Sequence, residues 1–350
     1  MDNQVRSLRS SYAWRVGRSY AVSFGIDRHI MSTIAHSQIL LERLGLAFAG
    51  WPEPSSSILL AGSGRSGTTW LMNVLASVPG TQQIFEPLHP STAEVPALTG
   101  WLDDGVSRVR LHYLRPKGQY AAWEGFLARL LSGRVRTTWT DYSRRSSYMP
   151  RRFVIKDIRA NLMLGHIHEN FKSRIVYVIR HPCAVIHSRL RNGWHADVAD
   201  ILHQEELVED YLRPWIGAME RERDAVGAHA VWWAVENAVA LHELDSRPHY
   251  REMFEELSLE PHQRVQGLLR WLGLENASIS DAVIEQPAWD GSLTPSYQTG
   301  PERLTSWQKH LTEAEQHRIL GWAHCLGIHL YDNGALPLTD NRHFDSPWHR

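Results

Sequence analysis

A glycine-rich turn between an apolar run and a helical segment constrains the fold of this chain most. Residues 58–61 read Ile-Leu-Leu-Ala, which is typical of a buried strand, and residues 68–78 favour a helix. The turn at 62–67 contains three glycines, which let the backbone approach an anion without a Cβ in the way. Unpaired N–H groups and the dipole at a helix start favour negative charge. The pattern therefore predicts a phosphate-binding turn.

The turn has the glycine spacing of a Walker A loop but lacks its lysine. Gly62 and Gly67 are separated as in G-x-x-x-x-G-K-[ST], yet Thr68 occupies the lysine position. Nucleotide hydrolases of that class need the lysine on the β- and γ-phosphates. Positive charge lies instead on Arg65, whose guanidinium can hold a phosphate bidentately. The residues thus favour phosphate binding over ATP or GTP hydrolysis.

Residues 64–70, Gly-Arg-Ser-Gly-Thr-Thr-Trp, resemble the 5′-phosphosulfate loop of the sulfotransferases, which use 3′-phosphoadenosine 5′-phosphosulfate (PAPS). The resemblance implies a P-loop-like fold and PAPS as co-substrate. It also implies that the whole loop contacts the nucleotide, through Gly64, Arg65, Ser66, Gly67, Thr68, Thr69 and Trp70. For Trp70, stacking on adenine and plain core packing are both open.

A second anion-binding motif lies at 180–189. Arg180 ends an apolar run, Pro182 suits the first turn of a helix, and Ser188 follows within that helix. An arginine at a strand end and a hydroxyl in the next helix can converge on one phosphate. The spacing resembles the sulfotransferase motif R-[DNH]-P-x-x-[AV]-x-x-S, which implies that Arg180 and Ser188 bind the 3′-phosphate. A salt-bridged arginine and an unrelated helix serine are the alternative.

Two further stretches resemble the family less closely. Residues 254–257 are similar to its Y-E-D-L segment, which implies that Phe254 lies near the adenine, without the tyrosine hydroxyl. Residues 307–312 resemble its C-terminal W-K-x-x-[FL]-[ST] stretch. The R-K-G sequence that often precedes this stretch is absent at 298–303, and Arg303 is the best substitute as a phosphate ligand.

Four residues are candidates for catalysis. Arg65 would stabilise charge on the leaving phosphate. Glu86, in a Phe-Glu-Pro setting predicted to be extended, matches the catalytic glutamate of carbohydrate-type sulfotransferases. His89 is the alternative base, because cytosolic members use a histidine, and Glu86 would then be a structural partner of Arg65. Lys156 would orient the sulfate or an anionic acceptor, or else pair with Asp157 or another acid.

The apolar runs predict the fold class and the domain organisation. Strands are expected at 58–61, 152–157 and 174–180, with helical stretches between them, which indicates an α/β fold with a central parallel sheet flanked by helices. Ligands of such sheets bind at the carboxyl ends of the strands. We expect a helical N-terminal extension at 1–54, a sulfotransferase domain at 55–335 and a loose C-terminal tail at 336–350.

Composition narrows the choice of partner. A formal net charge of −1 gives no global field for nucleic acid. The two cysteines, Cys183 and Cys325, make neither a disulfide framework nor a metal ligand set, and no metal is expected. No run reaches the roughly 18 apolar residues that a membrane span needs. We therefore expect a cytoplasmic enzyme without a transmembrane segment.

These observations favour an enzyme that transfers the sulfuryl group of PAPS to a hydroxyl. The glutamate base indicates a carbohydrate, glycolipid or natural-product acceptor rather than a simple phenol. Two alternatives stay open: a nucleotide kinase or NTPase of related fold, and a nucleotide-binding module without activity.

Overall fold

The computed structural model describes Leu46 and residues 50–101, 107–137, 139–141, 150–285, 302–338 and 344–348. Most of the predicted N-terminal extension, and the counterpart of the R-K-G loop at 298–301, therefore lie outside the described residues. Within the described ranges, every helix is too short or too polar to pass through a lipid bilayer.

Five parallel strands form the central sheet. They are β1 (Ile58–Gly62), β2 (Thr81–Phe85), β3 (Arg152–Lys156), β4 (Arg174–Ile179) and β5 (His249–Met253). Their order across the sheet is β2-β3-β1-β4-β5, and every pair runs parallel. All carboxyl ends therefore lie along one edge, with the glycine-rich turn at its centre.

Helices cover both faces of the sheet. Those described are α1 (Thr68–Ala76), α2 (Val95–Thr99), α3 (Ala121–Leu131), α4 (Leu164–Phe171), α5 (Pro182–Arg191), α6 (Ala199–Leu202), α7 (Glu205–Leu207), α8 (Ile216–Met219), α9 (Ala225–Leu244), α10 (Phe254–Leu259), α11 (Pro261–Trp271), α12 (Asp281–Glu285), α13 (Glu302–Thr305) and α14 (Glu313–Cys325).

The core is divided by the sheet into two apolar clusters. Along β1, Leu59 and Ala61 join the cluster that contains α9, whereas Ile58 and Leu60 join the cluster with α1 and α11. Successive strand side chains point to opposite faces, so a strand buried on both faces must be apolar throughout. This explains why the central strands could be recognised as continuous apolar runs.

The predicted α/β fold with a parallel sheet is confirmed, and so are the strands at 58–61, 152–157 and 174–180. Two strands were not recognised: β2, which reads Thr-Gln-Gln-Ile-Phe, and β5, which reads His-Tyr-Arg-Glu-Met. Both are edge strands, with a neighbour on one side only. Their polar residues hide the period that identifies a buried strand.

The last helix starts as its sequence indicates. The Thr312 side chain accepts from the N–H of Glu315, and the Glu315 carboxylate accepts from the N–H of Thr312, forming a capping box. Residues 344–348, in the predicted loose tail, contact the domain. The Trp348 indole N–H donates to the Tyr211 carbonyl at 2.7 Å, and Phe344 pairs with Ile328.

Candidate active site

The backbone of the glycine-rich turn needs its glycines. Gly62 has φ +143° where β1 ends, and a Cβ there would lie 2.3 Å from the carbonyl oxygen of Val178 on β4. Gly67 has φ +81° and precedes α1. Arg65 has φ +82°, although it carries a side chain. A non-glycine residue in this region costs about 1–3 kcal/mol, and such strain clusters at ligand sites.

Aromatic rings close on two of the glycines. A Cβ at Gly64 would lie 2.7 Å from the ring of Trp194, and one at Gly67 would lie 2.5 Å from the ring of Phe254. These rings therefore pack directly against the loop backbone. The polar groups of this region are the backbone N–H groups at the start of α1, which have no partner within the helix.

The start of α1 suits an anion. Thr68 and Thr69 are its first residues, and its first turn contains no acidic side chain. The Ser66 hydroxyl is fully buried and has no hydrogen-bond partner among the described residues. A buried hydroxyl without a partner is costly, so an acceptor such as a phosphate oxygen fits beside it.

The second predicted motif meets the first. Arg180 follows β4 directly, and Ser188 lies in α5. The Arg65 Nε donates to the Ser188 hydroxyl at 3.0 Å, and Arg180 Nη1 donates to the Arg65 carbonyl at 2.8 Å. The two motifs are therefore in direct contact at the carboxyl ends of β1 and β4.

Phe254 and Arg303 complete this corner of the site. The Phe254 ring lies under two guanidinium groups, with the Arg180 carbon 4.3 Å and the Arg303 carbon 4.9 Å from the ring centroid. Arg303 also donates to the Ser258 hydroxyl at 2.6 Å, and its carbonyl accepts from Arg180 at 3.4 Å. The structure thus brings Arg180 and Arg303 together on Phe254, and Arg65 connects this corner to Ser188.

His181, which follows Arg180, shapes the turn into α5. Its Nδ1 accepts from the N–H of Cys183 at 3.2 Å, and its Nε2 lies 3.0 Å from the Asp332 carbonyl. Burial lowers the pKa of His181 to about 4, with Arg180 nearby acting in the same direction. The ring is therefore neutral, and its two nitrogens serve as one acceptor and one donor.

Glu86 lies at the carboxyl end of β2, and two cations neutralise it. Lys156 Nζ binds Oε1, and Arg159 Nη1 lies 2.8 Å from Oε2. The expected structural partner was Arg65, whereas the observed partners are these two side chains. The expectation of extended backbone at Glu86 is also wrong, because its φ is +42°. Its N–H still donates to the Lys156 carbonyl at 2.7 Å, and its carbonyl accepts from the N–H of His89 at 3.0 Å in the turn that follows.

The ion pairs separate the pKa values of two buried carboxyl groups near the end of β3. Burial alone would raise the pKa of Glu86, but Lys156 and Arg159 outweigh it and lower the pKa to about 2. Burial raises the pKa of Asp157 to about 6, although Arg159 opposes this change. Asp157, proposed as a partner of Lys156, instead accepts from the N–H groups of Leu88 and Arg159.

The other two aromatic candidates lie at the rim. The His89 ring stacks on Trp139 with centroids 4.1 Å apart, and its Nδ1 lies 2.8 Å from the Ser91 hydroxyl. The half-buried Trp70 donates its indole N–H to the Ile284 carbonyl at 3.1 Å. Base chemistry at His89 and adenine stacking on Trp70 stay predictions.

Four site residues were not recognised in the sequence. Arg159 contacts Glu86, and Asn161, Arg189 and Glu236 form a buried network behind the glycine-rich turn. One signal was present: Glu236 is an acidic residue in the middle of the largely apolar α9, where an unpaired charge is not tolerated. Among the described residues, no three potential metal-ligating side chains cluster.

Comparison with known proteins agrees with this geometry. The profile of the sulfotransferase family matches residues 57–278, well over half of the chain. No protein of curated function matches the sequence.

Several solved sulfotransferases are similar. The sulfotransferase domain from the Synechococcus PCC 7002 olefin synthase is 17% identical, with 81% of this chain and 98% of that domain covered and a TM-score of 0.44. Sulfotransferase STF1 from Mycobacterium tuberculosis H37Rv is 16% identical, with 81% of this chain and 82% of that chain covered and a TM-score of 0.37. Mouse sulfotransferase SULT7A1, complexed with PAP, is 13% identical, with 78% of this chain and 84% of that chain covered and a TM-score of 0.37. With the family profile matched across the glycine-rich turn, the sheet and the second anion motif, the chain belongs to the sulfotransferase family.

Proposed function

We propose that this protein is a PAPS-dependent sulfotransferase. The observation that carries the proposal is the contact of two cationic motifs at one sheet edge, with Arg65 bound to Ser188 and Arg180 bound to the Arg65 backbone. PAPS carries anionic groups at both the 5′ and the 3′ position of one ribose. Two neighbouring anion sites of different construction match such a molecule better than one isolated site does.

The residues present fit the nucleotide. The 5′ end would lie on the N–H groups of Gly67, Thr68 and Thr69, where the Ser66 hydroxyl lacks a partner among the described residues. The 3′-phosphate would lie between Arg180 and Ser188, with Arg303 beside them. Phe254 and Trp70 offer aromatic surface for the adenine.

Sulfuryl transfer needs charge stabilisation and a proton acceptor. The acceptor oxygen would form a bond to sulfur as the bond from sulfur to the 5′-phosphate oxygen breaks, and adenosine 3′,5′-bisphosphate would leave. Negative charge would grow on that leaving oxygen, next to Arg65 and the α1 amides. The hydroxyl proton would pass to Glu86.

The ion pairs of Glu86 affect its strength as a base. A carboxylate with a pKa of about 2 is ionised but accepts protons weakly. An anionic sulfuryl group near the end of β3 would compete with Glu86 for Lys156, and the loss of that cation would raise the pKa of Glu86. Lys156 would thus serve both groups in turn. His89 is the second candidate base.

A cavity of about 430 Å³ supports a polyhydroxylated acceptor. Its lining combines aromatic surface with hydrogen-bonding groups, including Trp101, His112, Arg110, Asp200 and Gln204. Aromatic faces and carboxylates together suit the apolar faces and hydroxyls of sugars. Arg110 in this lining follows Val109, whose N–H donates to the carbonyl of His195. His195 in turn follows Trp194, whose ring packs against Gly64 of the glycine-rich turn. A larger cavity, about 700 Å³, is lined by Glu169 and Asn170, just before β4 begins, and so faces the opposite sheet edge.

Calorimetry tests the nucleotide assignment directly. We expect adenosine 3′,5′-bisphosphate to bind more tightly than Mg-ATP, because the protein has two anion sites and no Walker lysine. Tighter binding of Mg-ATP would favour a kinase or NTPase instead. Transfer of the label from sulfur-labelled PAPS to a panel of glycans, glycolipids and phenols distinguishes an enzyme from an inactive binding module.

The cavity has its own test. Trp101→Ala should raise the acceptor KM while leaving the affinity for adenosine 3′,5′-bisphosphate unchanged, and Trp271→Ala on exposed α11 is the matched control. An acceptor KM that Trp101→Ala does not change would exclude the cavity as the acceptor site.

A further inference from the structure

Glu236 is a fully buried carboxylate behind the glycine-rich turn. It projects from α9, and its exposed fraction is 0%. Its Oε1 accepts from the Ser63 hydroxyl at 2.7 Å and from Arg189 Nη2 at 2.7 Å, and its Oε2 accepts from Asn161 Nδ2 at 2.9 Å. Both carboxylate oxygens are therefore bound, and Arg189 neutralises the charge.

Each of these three partners either binds the loop backbone or belongs to the loop. Asn161 Oδ1 accepts from the N–H of Gly62 at 3.0 Å, and Arg189 Nε donates to the carbonyl of Gly64 at 3.3 Å. Ser63, the third partner, lies between those two glycines. Three consecutive loop residues are therefore connected to one carboxylate on a helix across the core.

Arg189 also links the two anion motifs. It directly follows Ser188, whose hydroxyl accepts from Arg65 at 3.0 Å. Helix α5 thus holds the loop at Gly64 through one residue and at Arg65 through the residue before it. Glu236, which binds the Arg189 guanidinium, is therefore connected through α5 to both Gly64 and Arg65.

We propose that Glu236 is a positioning residue for sulfuryl transfer, which sets the loop geometry and the spacing of the two anion sites through Ser63, Asn161 and Arg189. The inference rests on the proposed function. A role limited to core stability predicts something different, because a buried ion pair can often be replaced by apolar residues of similar volume without loss of stability.

The same helix offers a matched control. Glu243 is likewise a buried acidic residue of α9, but it accepts from the N–H of Gly165 at 2.9 Å and from the Tyr211 hydroxyl at 3.3 Å, away from the loop. Glu243→Gln replaces a buried carboxyl group of the same helix without touching the anion sites.

The experiment combines binding, hydrogen exchange and thermal unfolding at pH 7. Glu236→Gln should weaken binding of adenosine 3′,5′-bisphosphate roughly 10- to 100-fold, because small misplacements of binding groups have effects of that size. It should also speed amide exchange at residues 60–68, and Glu243→Gln should do neither. Wild-type affinity and wild-type exchange in Glu236→Gln would overturn the proposal.

Two further variants separate positioning from folding. The double variant Arg189→Met, Glu236→Leu removes the whole ion pair. It should regain the wild-type melting temperature, while its binding of adenosine 3′,5′-bisphosphate stays weak. Recovery of both would identify a purely structural role and overturn the proposal. If Glu236→Gln does not fold, Ser63→Ala removes one branch without leaving a charge unpaired, and it should weaken binding roughly 2- to 10-fold. Unchanged binding there would count against the proposal.

Failure of the proposed function and failure of the inference on Glu236 give different results. If the wild-type protein does not bind adenosine 3′,5′-bisphosphate, the proposed function fails, whereas the exchange comparison between Glu236→Gln and Glu243→Gln still decides whether Glu236 holds the loop.

Discussion

The Arg65 guanidinium donates to the hydroxyl of Ser188 at 3.0 Å, although 123 positions separate the two residues in the chain. One comes from the turn after β1 and the other from the helix after β4, and these strands are neighbours in the sheet. The parallel arrangement brings both turns to one edge. Two motifs that are recognised separately thereby become one site.

Glu86→Gln should reduce sulfuryl transfer about 10²- to 10⁴-fold, the usual contribution of a general base. Nucleotide affinity should stay near wild type, since the contacts of Glu86 are with Lys156 and Arg159 rather than with the anion loop. Single-turnover rates and calorimetry measure the two effects. His89→Gln is the comparison, and an active Glu86→Gln with an inactive His89→Gln would make the histidine the base.

The pH dependence of kcat/KM should distinguish Glu86 from Asp157. Because the pKa of Glu86 is lowered to about 2, the carboxylate is already ionised throughout the range above pH 4. Asp157 holds the N–H groups of Leu88 and Arg159 on either side of Glu86, and burial raises its pKa to about 6. Its protonation should therefore give an acid limb between pH 5 and 7 that disappears in Asp157→Asn. A limb that persists there would indicate a histidine, which ordinarily titrates near 6.5.

Arg180→Met should lower the affinity for adenosine 3′,5′-bisphosphate about 10- to 100-fold, the loss of a charge-assisted hydrogen bond. AMP, which lacks the 3′-phosphate, should be affected much less. Titration calorimetry with both nucleotides gives the ratio of the two affinity losses. Arg191→Met, at the exposed end of α5, which begins two residues after Arg180, is the control. Equal losses for both nucleotides would mean that Arg180 supports the loop and does not read the 3′-phosphate.

Gly67→Ala should destabilise the fold and weaken nucleotide binding. The new Cβ would meet the Phe254 ring at 2.5 Å in addition to the strain of a φ of +81°. Gly100→Ala has similar strain, with φ +72°, but meets no described atom within 4 Å. Urea unfolding should show an extra loss of about 1–3 kcal/mol for Gly67→Ala, the typical effect of overpacking. Equal losses would show that Phe254 moves away freely.

Stability should fall with pH because of Glu243. Burial raises the pKa of Glu243 to about 8, so the folded protein keeps a proton that the unfolded chain releases near 4.5. The stabilising effect is fully present below pH 4.5 and is lost as pH rises to about 8. Relative to Glu243→Gln, the free energy of unfolding should drop by at most about 5 kcal/mol over this range. Parallel denaturation curves from pH 5 to 9 would contradict the assignment.

Local patterns in the sequence were enough for the central architecture and for both anion motifs. The strands β1, β3 and β4 are buried on both faces and have apolar central residues, and Gly62 and Gly67 mark backbone with positive φ that other residues adopt only at a cost. Arg180 and Ser188 lie within one short segment. Each of these features depends on neighbours in the chain, so its signal is present in the order of residues.

The tertiary structure alone decided which charges meet. Glu86 pairs with Lys156 and Arg159 because β2 and β3 are adjacent, and Glu236 reaches the loop because α9 packs behind the sheet edge. Strand order and helix packing set these distances, and an ion pair between residues 70 or more positions apart leaves no local pattern. The edge strands β2 and β5 were missed for a related reason, because their burial depends on which elements pack beside them in the folded chain.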